Sequence, residues 1–145
     1  MRVSTMTLAN RLSYDQLEEQ LHRLLGRFFV TFAGIELNLS CRVGGAGTFG
    51  EKLERFIDVF GTQVSHSEHE FCKMFAWYMA ADSIRETRNL LAHGRWGIHS
   101  AAQRVVHISG YPPDTQVERR FSLAELQVLV KDAALLNEEL SKIVW

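Results

Sequence analysis

The chain has 145 residues, of which 46% are hydrophobic and 23% charged, and this size and composition predict one globular domain with a substantial core. The formal net charge of −1 lacks the overall basic character of a general nucleic-acid binder. The charge is unevenly distributed, because residues 85–120 contain six arginines but only three acidic residues. That region alone could hold a phosphate-bearing ligand, although a solvated arginine-rich surface has the same pattern.

Two further features bear on location. The chain has no run of 18 apolar residues that would predict a transmembrane helix, and its first ten residues lack the layout of a signal peptide. Cys41 and Cys72 lie far apart and without the spacing of a metal site. We therefore expect a cytoplasmic protein with reduced cysteines and no membrane contact.

Four capping boxes predict four helix starts. In this motif a Ser or Thr is followed three residues later by Glu or Gln, and each side chain binds the backbone N–H of the other residue. The pairs are Ser13 and Gln16, Thr48 and Glu51, Ser67 and Glu70, and Ser122 and Glu125. Each pair opens a segment with apolar residues at helical spacing.

The first predicted helix spans residues 14–42, with an apolar stripe at three- and four-residue steps. Glycines at 44, 45 and 47 end it. A short second helix is predicted over residues 48–60 and ends at Gly61. The third spans residues 68–93, and Gly94 is its stop.

Strand-like composition follows Gly94. Residues 104–109 and 116–121 are β-branched or alternating, and a strong turn signal between them predicts a β-hairpin. A last helix runs from residue 123 to the C-terminus, with Phe121 and Leu126 spaced as a hydrophobic staple across its start.

These elements predict an all-α fold, a four-helix bundle-like domain with a small β-hairpin inserted before the last helix. We expect a single domain over residues 1–145, in which residues 1–12 form a loosely ordered N-terminal extension. Long helices with broad apolar faces also favour a symmetric homodimer.

The end of the third predicted helix carries the distinctive chemistry, in Arg88, Asn89 and His93. At about 100° per residue, Arg88 lies within about 40° of the core position Ile84, whereas His93 lies on the opposite face. A charge near the core needs a partner, because burying an isolated ion is costly. Glu36 on the first helix is the partner that we predict for Arg88.

A row of polar residues leads to the histidine, at Asp82, Glu86, Asn89 and His93. Such rows are usually solvated, and a histidine at a helix end can simply interact with the helix dipole. A histidine can also transfer a proton at neutral pH, and an arginine close by can bind a phosphate and stabilise its charge. RNA supplies its own nucleophile in the 2′-hydroxyl, so this chemistry requires neither a metal nor another cofactor.

The geometry within one helix does not bring the two groups together. Arg88 and His93 point about 140° apart, and their Cα atoms are separated by roughly 7.5 Å along the axis. Either the last turn unwinds before Gly94, or two copies of the motif face each other across a dimer axis. We favour the dimer.

The pattern Arg88-Asn89-x-x-x-His93 at the end of a capped helix resembles the HEPN family of ribonuclease-like domains. A long first helix with an internal glutamate (Glu36), a glycine-led short helix and a closing helix extend the resemblance over about residues 14–145. The resemblance implies a dimeric helical bundle with facing motifs. It also implies a metal-independent endoribonuclease, often a toxin of a toxin–antitoxin pair or a phage-defence component.

Carried onto this sequence, the resemblance makes Arg88, Asn89 and His93 the catalytic residues. His93 would be the general acid or base, Arg88 would bind the scissile phosphate or order the site, and Asn89 would support both. The charged neighbours that we expect to support this site are Glu36, Arg85, Glu86 and Arg95.

The sequence departs from the family in one respect. HEPN toxins paired with a nucleotidyltransferase antitoxin carry a tyrosine two residues after the histidine, where this chain has Arg95, so regulation by adenylylation is not implied. The predicted hairpin exceeds a minimal bundle and could bind an antitoxin or another protein partner.

Two alternatives remain open from the residues alone. The chain could be a non-catalytic module that keeps the scaffold and senses a nucleotide or RNA, or binds a protein. His66 and His69 suggest a metal by spacing, but further ligands are lacking and they lie across a predicted helix start, so we expect no metal.

Overall fold

The computed structural model describes residues 11–62, 67–109 and 116–143. The elements in chain order are α1 (Tyr14–Val43), α2 (Phe49–Gly61), α3 (Glu68–Ala92), β1 (Arg95–His99), β2 (Arg104–Ser109), β3 (Val117–Phe121) and α4 (Leu123–Lys142). The prediction of a mainly helical domain with a small β insertion before the last helix is confirmed. The insertion has three strands rather than the predicted two.

All four predicted capping boxes form. At the start of α2, the Thr48 hydroxyl accepts from the Glu51 N–H at 3.2 Å, and the Glu51 carboxylate accepts from the Thr48 N–H at 2.7 Å. The other three helices start with the same reciprocal pair of bonds. Each box satisfies two backbone donors that a helix start otherwise leaves free, which is why these starts could be read from the sequence.

The core lies where the four apolar stripes meet. Helix α1 packs most extensively against α4, and it also contacts α2. The ring of Phe56 on α2 is 5.0 Å from that of Trp77 on α3, and the Trp77 indole N–H donates to the Leu136 carbonyl on α4 at 2.9 Å. Trp77 therefore joins three helices at the centre of the bundle.

The strands form an antiparallel sheet in the order β1-β2-β3. In the central strand, Val105, His107 and Ser109 are buried and face the helices. Strand β1 was missing from the prediction, because a segment with Gly97 at its centre lacks a β-branched run. It becomes a strand through pairing with β2, in which Trp96 lies opposite His107. The predicted turn between β2 and β3 lies outside the described residues.

Residues 11 and 12 are anchored to the turn between β1 and β2. The Arg11 guanidinium donates to the carbonyl oxygens of Ser100 and Ala101, at 3.3 and 2.6 Å. The Leu12 backbone exchanges two hydrogen bonds with the Gln103 side chain, at 2.8 and 2.9 Å. These two residues therefore do not belong to a loosely ordered extension, and the rest of the predicted extension lies outside the described residues.

Helix α1 is long and apolar enough to cross a bilayer by length and composition, with a mean hydropathy of 1.3 over 18 residues. The sequence had predicted no such helix. One helix of this kind is weak evidence for a membrane span, because core helices meet the same test. In this fold seven α1 residues are buried: Leu17, Leu21, Leu24, Phe28, Phe32, Ile35 and Leu39.

Candidate functional site

The candidate site begins where α3 ends. The helix stops at Ala92, one residue earlier than predicted, because His93 is extended (φ −110°, ψ 142°) and Gly94 has a φ of +100°. Gly94 also touches the sheet so closely that a Cβ there would collide with the Ile108 carbonyl oxygen. Only glycine meets both demands, so Gly94 is the stop that the sequence predicted.

Side chains of the sheet cap the end of α3. A helix leaves its last carbonyl groups without partners in the helix. Here the Trp96 indole N–H donates to the Leu91 carbonyl at 3.3 Å, and Nε2 of His107 donates to the His93 carbonyl at 2.6 Å. Side chains from β1 and β2 therefore hold the backbone at the end of α3 in place.

His107 is fully buried on β2, and its ring centre is 4.7 Å from that of Trp96. Burial lowers the pKa of His107, the bond to the His93 carbonyl raises it, and the positive charge of Arg119 on β3 lowers it. Because a carbonyl can only accept, the neutral ring carries its proton on Nε2. Nδ1 is left buried without a hydrogen-bond partner.

His93 and Asn89 line one cleft, of about 520 Å³. The residues around it are Glu86, Asn89, Leu90, His93 and Ser109. His93 and Asn89 are both exposed, and the cleft's far wall is the end of β2. This cleft thus holds three members of the predicted polar row.

Arg88 lines a second cleft, of about 390 Å³. The residues around it are Phe32, Glu36, Thr48, Phe49, Gly50, Arg85, Arg88 and Asn89. Asn89 lines both clefts. The helical geometry predicted from the sequence therefore holds: Arg88 and His93 open into separate, adjacent clefts.

The Arg88 guanidinium is fixed by two neighbours. It lies 5.5 Å from the centre of the Phe32 ring and donates to Oδ1 of Asn89 at 3.1 Å. A cation over an aromatic face is attracted to the ring. Within the part of the chain that the structure describes, Asn89 is the one hydrogen-bond acceptor of this group, which leaves most of the guanidinium's five N–H donors available to a ligand in the cleft.

The predicted pairing of Glu36 with Arg88 is wrong. Glu36 accepts instead from Nζ of Lys52 on α2, at 3.0 Å. Lys52 is 5% exposed, so its charge requires a partner more than that of the half-buried Arg88 does. The sequence carried a signal for this, because Lys52 falls on the buried face of α2 between Phe49 and Phe56.

The remaining predicted residues divide between the clefts. Arg85 lines the Arg88 cleft and makes an ion pair at 2.8 Å with Asp82, the first residue of the predicted polar row. Glu86 lines the His93 cleft. Arg95 is exposed at the start of β1 and lines neither cleft. The sequence did not identify Phe32, Ser109 or His107 as parts of the site.

Among the described residues, no group of three or more His, Cys, Asp or Glu could hold a metal ion. His69 is exposed near the start of α3. Its predicted companion, His66, lies outside the described residues.

Comparison with known proteins assigns no family to the chain. No family model matches it, and no curated protein or solved structure shows significant similarity to it. The HEPN resemblance therefore rests on the motif and its place in the fold, and a functional assignment rests on the geometry of the two clefts.

Proposed function

We propose that this chain is a HEPN-like, metal-independent endoribonuclease that cuts RNA as a homodimer. The observation that carries the proposal is the placement of Arg88 and His93 in adjacent clefts that share Asn89. One copy thus has a phosphate-binding half and a proton-transfer half side by side. A two-fold axis near Asn89 brings each half of one copy to the complementary half of the other.

The chemistry follows from the two side chains. His93 takes the proton of the RNA 2′-hydroxyl as general base, and the 2′-oxygen attacks the neighbouring phosphorus. The bond from phosphorus to the 5′-oxygen breaks, and that oxygen takes a proton from solvent water. The products are a 2′,3′-cyclic phosphate and a 5′-hydroxyl. Arg88, already oriented by Phe32 and Asn89, stabilises the charge on the phosphate oxygens.

A second copy fits the exposed face of α3. Phe71, Phe75 and Met79 are 47, 47 and 56% exposed. Counted in steps of three and four, they lie on the same helix face as Asn89, which lines both clefts. An exposed apolar stripe that continues into the site is a suitable surface for an isologous contact. We therefore place the dimer interface along this face.

RNA fits the charge of the outer sheet face. Side chains alternate across a strand, and the strand register puts Arg95, Arg104 and Arg120 on the face opposite the buried His107. Glu118 is the one acidic residue of the described strands, and its contact with Arg120 is an exposed pair at 3.7 Å. Such a pair contributes little, so this face attracts a polyanion towards the end of α3.

The test is cleavage of a mixed RNA pool in EDTA by wild type, His93→Ala, Arg88→Ala and His22→Ala. His22 is an exposed histidine on α1 that lines neither cleft, and it serves as the matched control. Wild type and His22→Ala should produce 2′,3′-cyclic phosphate ends, and each site variant should lose about 100-fold or more. Equal cleavage by wild type and a folded His93→Ala would contradict the proposal.

The Arg88 cleft also suits a second function, a module that binds a nucleotide without cleaving it. Arg85 and Arg88 both line this cleft, so two guanidinium groups could hold the phosphates of a nucleotide. This alternative predicts that a dimeric wild type cuts no RNA while Arg88→Ala weakens nucleotide binding and His93→Ala does not.

A further inference from the structure

His107 is the one fully buried histidine of the described residues, and no step of the proposed cleavage uses it. It lines neither cleft. Its side chain donates to the His93 carbonyl, and its ring packs on Trp96.

Packing alone does not explain the imidazole. A phenylalanine ring would lie equally well against Trp96 and would leave no buried nitrogen without a partner, as Nδ1 of His107 is left. What phenylalanine cannot do is donate to the His93 carbonyl. The hydrogen bond at 2.6 Å is therefore the contribution specific to histidine.

That bond acts at the place where the chain leaves α3. His93 is the first residue past the helix, and its extended backbone directs its side chain away from the helical path. On its far side, Gly94 lies tightly against the backbone of β2 at Ile108. His107 and Gly94 thus fix the peptide on either side of the His93 carbonyl. Ser109 lies two residues after His107 on the same face of β2, and it lines the cleft into which His93 opens.

We infer that His107 is a positioning residue for His93. It holds the His93 main chain so that the imidazole of His93 has one direction in its cleft. Its effect on catalysis rests on the proposed nuclease function, whereas its effect on the order of His93 does not. The predicted β-hairpin thereby has a role inside the site, beyond that of a partner-binding appendage.

The test compares His107→Phe with His107→Gln in protein with ¹³C-labelled histidine. The glutamine amide nitrogen reaches the position of Nε2 and can donate, whereas phenylalanine fills the volume without donating. We measure the ring order parameter of His93 by ¹³C relaxation, assigned with His93→Ala. Wild type and His107→Gln should have similarly ordered rings, and His107→Phe a more mobile one.

Val105→Ala is the matched control, because Val105 is fully buried on the same face of β2 but belongs to a different part of the core. It should lower Tm and leave the His93 ring ordered. If His107→Phe does not fold, His107→Asn breaks the same bond with a polar side chain that is too short to reach the carbonyl.

Kinetics supply the second readout. Misplacing a catalytic group by about 1 Å can cost about 100-fold, so His107→Phe should lower kcat by about 10- to 100-fold with KM unchanged, and His107→Gln should restore most of the loss. An equally ordered His93 ring in folded His107→Phe would overturn the inference, even if wild type cleaves RNA. If the His93 ring is mobile in His107→Phe and the wild type cuts no RNA, the positioning role of His107 is supported and the nuclease proposal is refuted.

Discussion

Nζ of Lys52 lies 3.0 Å from Oε1 of Glu36, and this ion pair joins α2 to α1 beside the Arg88 cleft. The Lys52 side chain is 6% exposed and that of Glu36 is 38% exposed. The pair neutralises a buried cation and, among the described residues, leaves Arg88 without a carboxylate of its own. Arg88 therefore keeps its positive charge for a ligand of the cleft.

Removing the carboxylate should destabilise the fold. Glu36→Gln leaves the buried charge of Lys52 without a counter-ion and should lower the free energy of unfolding by about 2 kcal/mol. Replacing both partners, with Lys52→Met added, should recover most of that loss. Urea unfolding measures all three variants.

The matched control is the exposed pair of Lys142 and Glu138, at 3.2 Å with side chains 61 and 64% exposed. Glu138→Gln should change the free energy of unfolding by less than about 0.5 kcal/mol. A Glu36→Gln effect as small as that of Glu138→Gln would show that Lys52 is solvated rather than paired.

Two glycines should respond oppositely to alanine. Gly94 has a φ of +100° and no room for a Cβ, so Gly94→Ala should destabilise the protein by about 2 kcal/mol or more and displace His93. Gly26 lies within α1 with no atom within 4 Å of the added Cβ, so Gly26→Ala should stabilise by about 0.5–1 kcal/mol.

Thermal melting of the two glycine variants against wild type checks both signs. A neutral or stabilising Gly94→Ala would mean that the end of α3 is not packed against the backbone of β2 at Ile108. A destabilising Gly26→Ala would place a neighbour against that face of α1, such as a second copy.

Acid should destabilise the junction of α3 and the sheet. The pKa of His107 is lowered on folding, so the unfolded chain binds more protons than the folded chain between the two pKa values. Stability from the neutral ring is then fully present above the unfolded value of about 6.5 and is lost as pH falls below it. Burial is the largest cause of the lowered pKa of His107; the bond to the His93 carbonyl opposes it, and the positive charge of Arg119 adds to it.

The measurement is urea unfolding of wild type and His107→Gln from pH 8 to pH 5. Both proteins share every other titrating group, so the wild type should lose more stability than the variant as pH falls. Parallel curves would contradict the assignment of this loss to His107.

Local signals explain how much of the fold was predictable. Each helix start depends on two side chains three residues apart, and each core stripe repeats within its own helix, so both appear in a short window of sequence. The end of α3 is equally local, because Gly94 alone has the backbone freedom that the turn requires.

Contacts between distant segments explain what was missed. Strand β1 depends on pairing with β2, so Gly97 concealed it. The choice of Lys52 over Arg88 as the partner of Glu36 depends on how α2 docks onto α1. The role of His107 appears only when β2 lies under the end of α3, fourteen residues earlier in the chain.

A site shared between two chains has a direct test, because two inactive proteins should form one active dimer. Arg88→Ala and His93→Ala chains, co-expressed with different tags and purified through both, give a mixed dimer. One of its two sites then has an intact Arg88 from one chain and an intact His93 from the other. Each variant alone should lose about 100-fold or more of the wild-type rate, and the mixed dimer should regain about half of that rate, from one site of two. A mixed dimer as inactive as its parents, beside an active wild type, would place Arg88 and His93 of the same chain in one site and rule out a site shared between two chains.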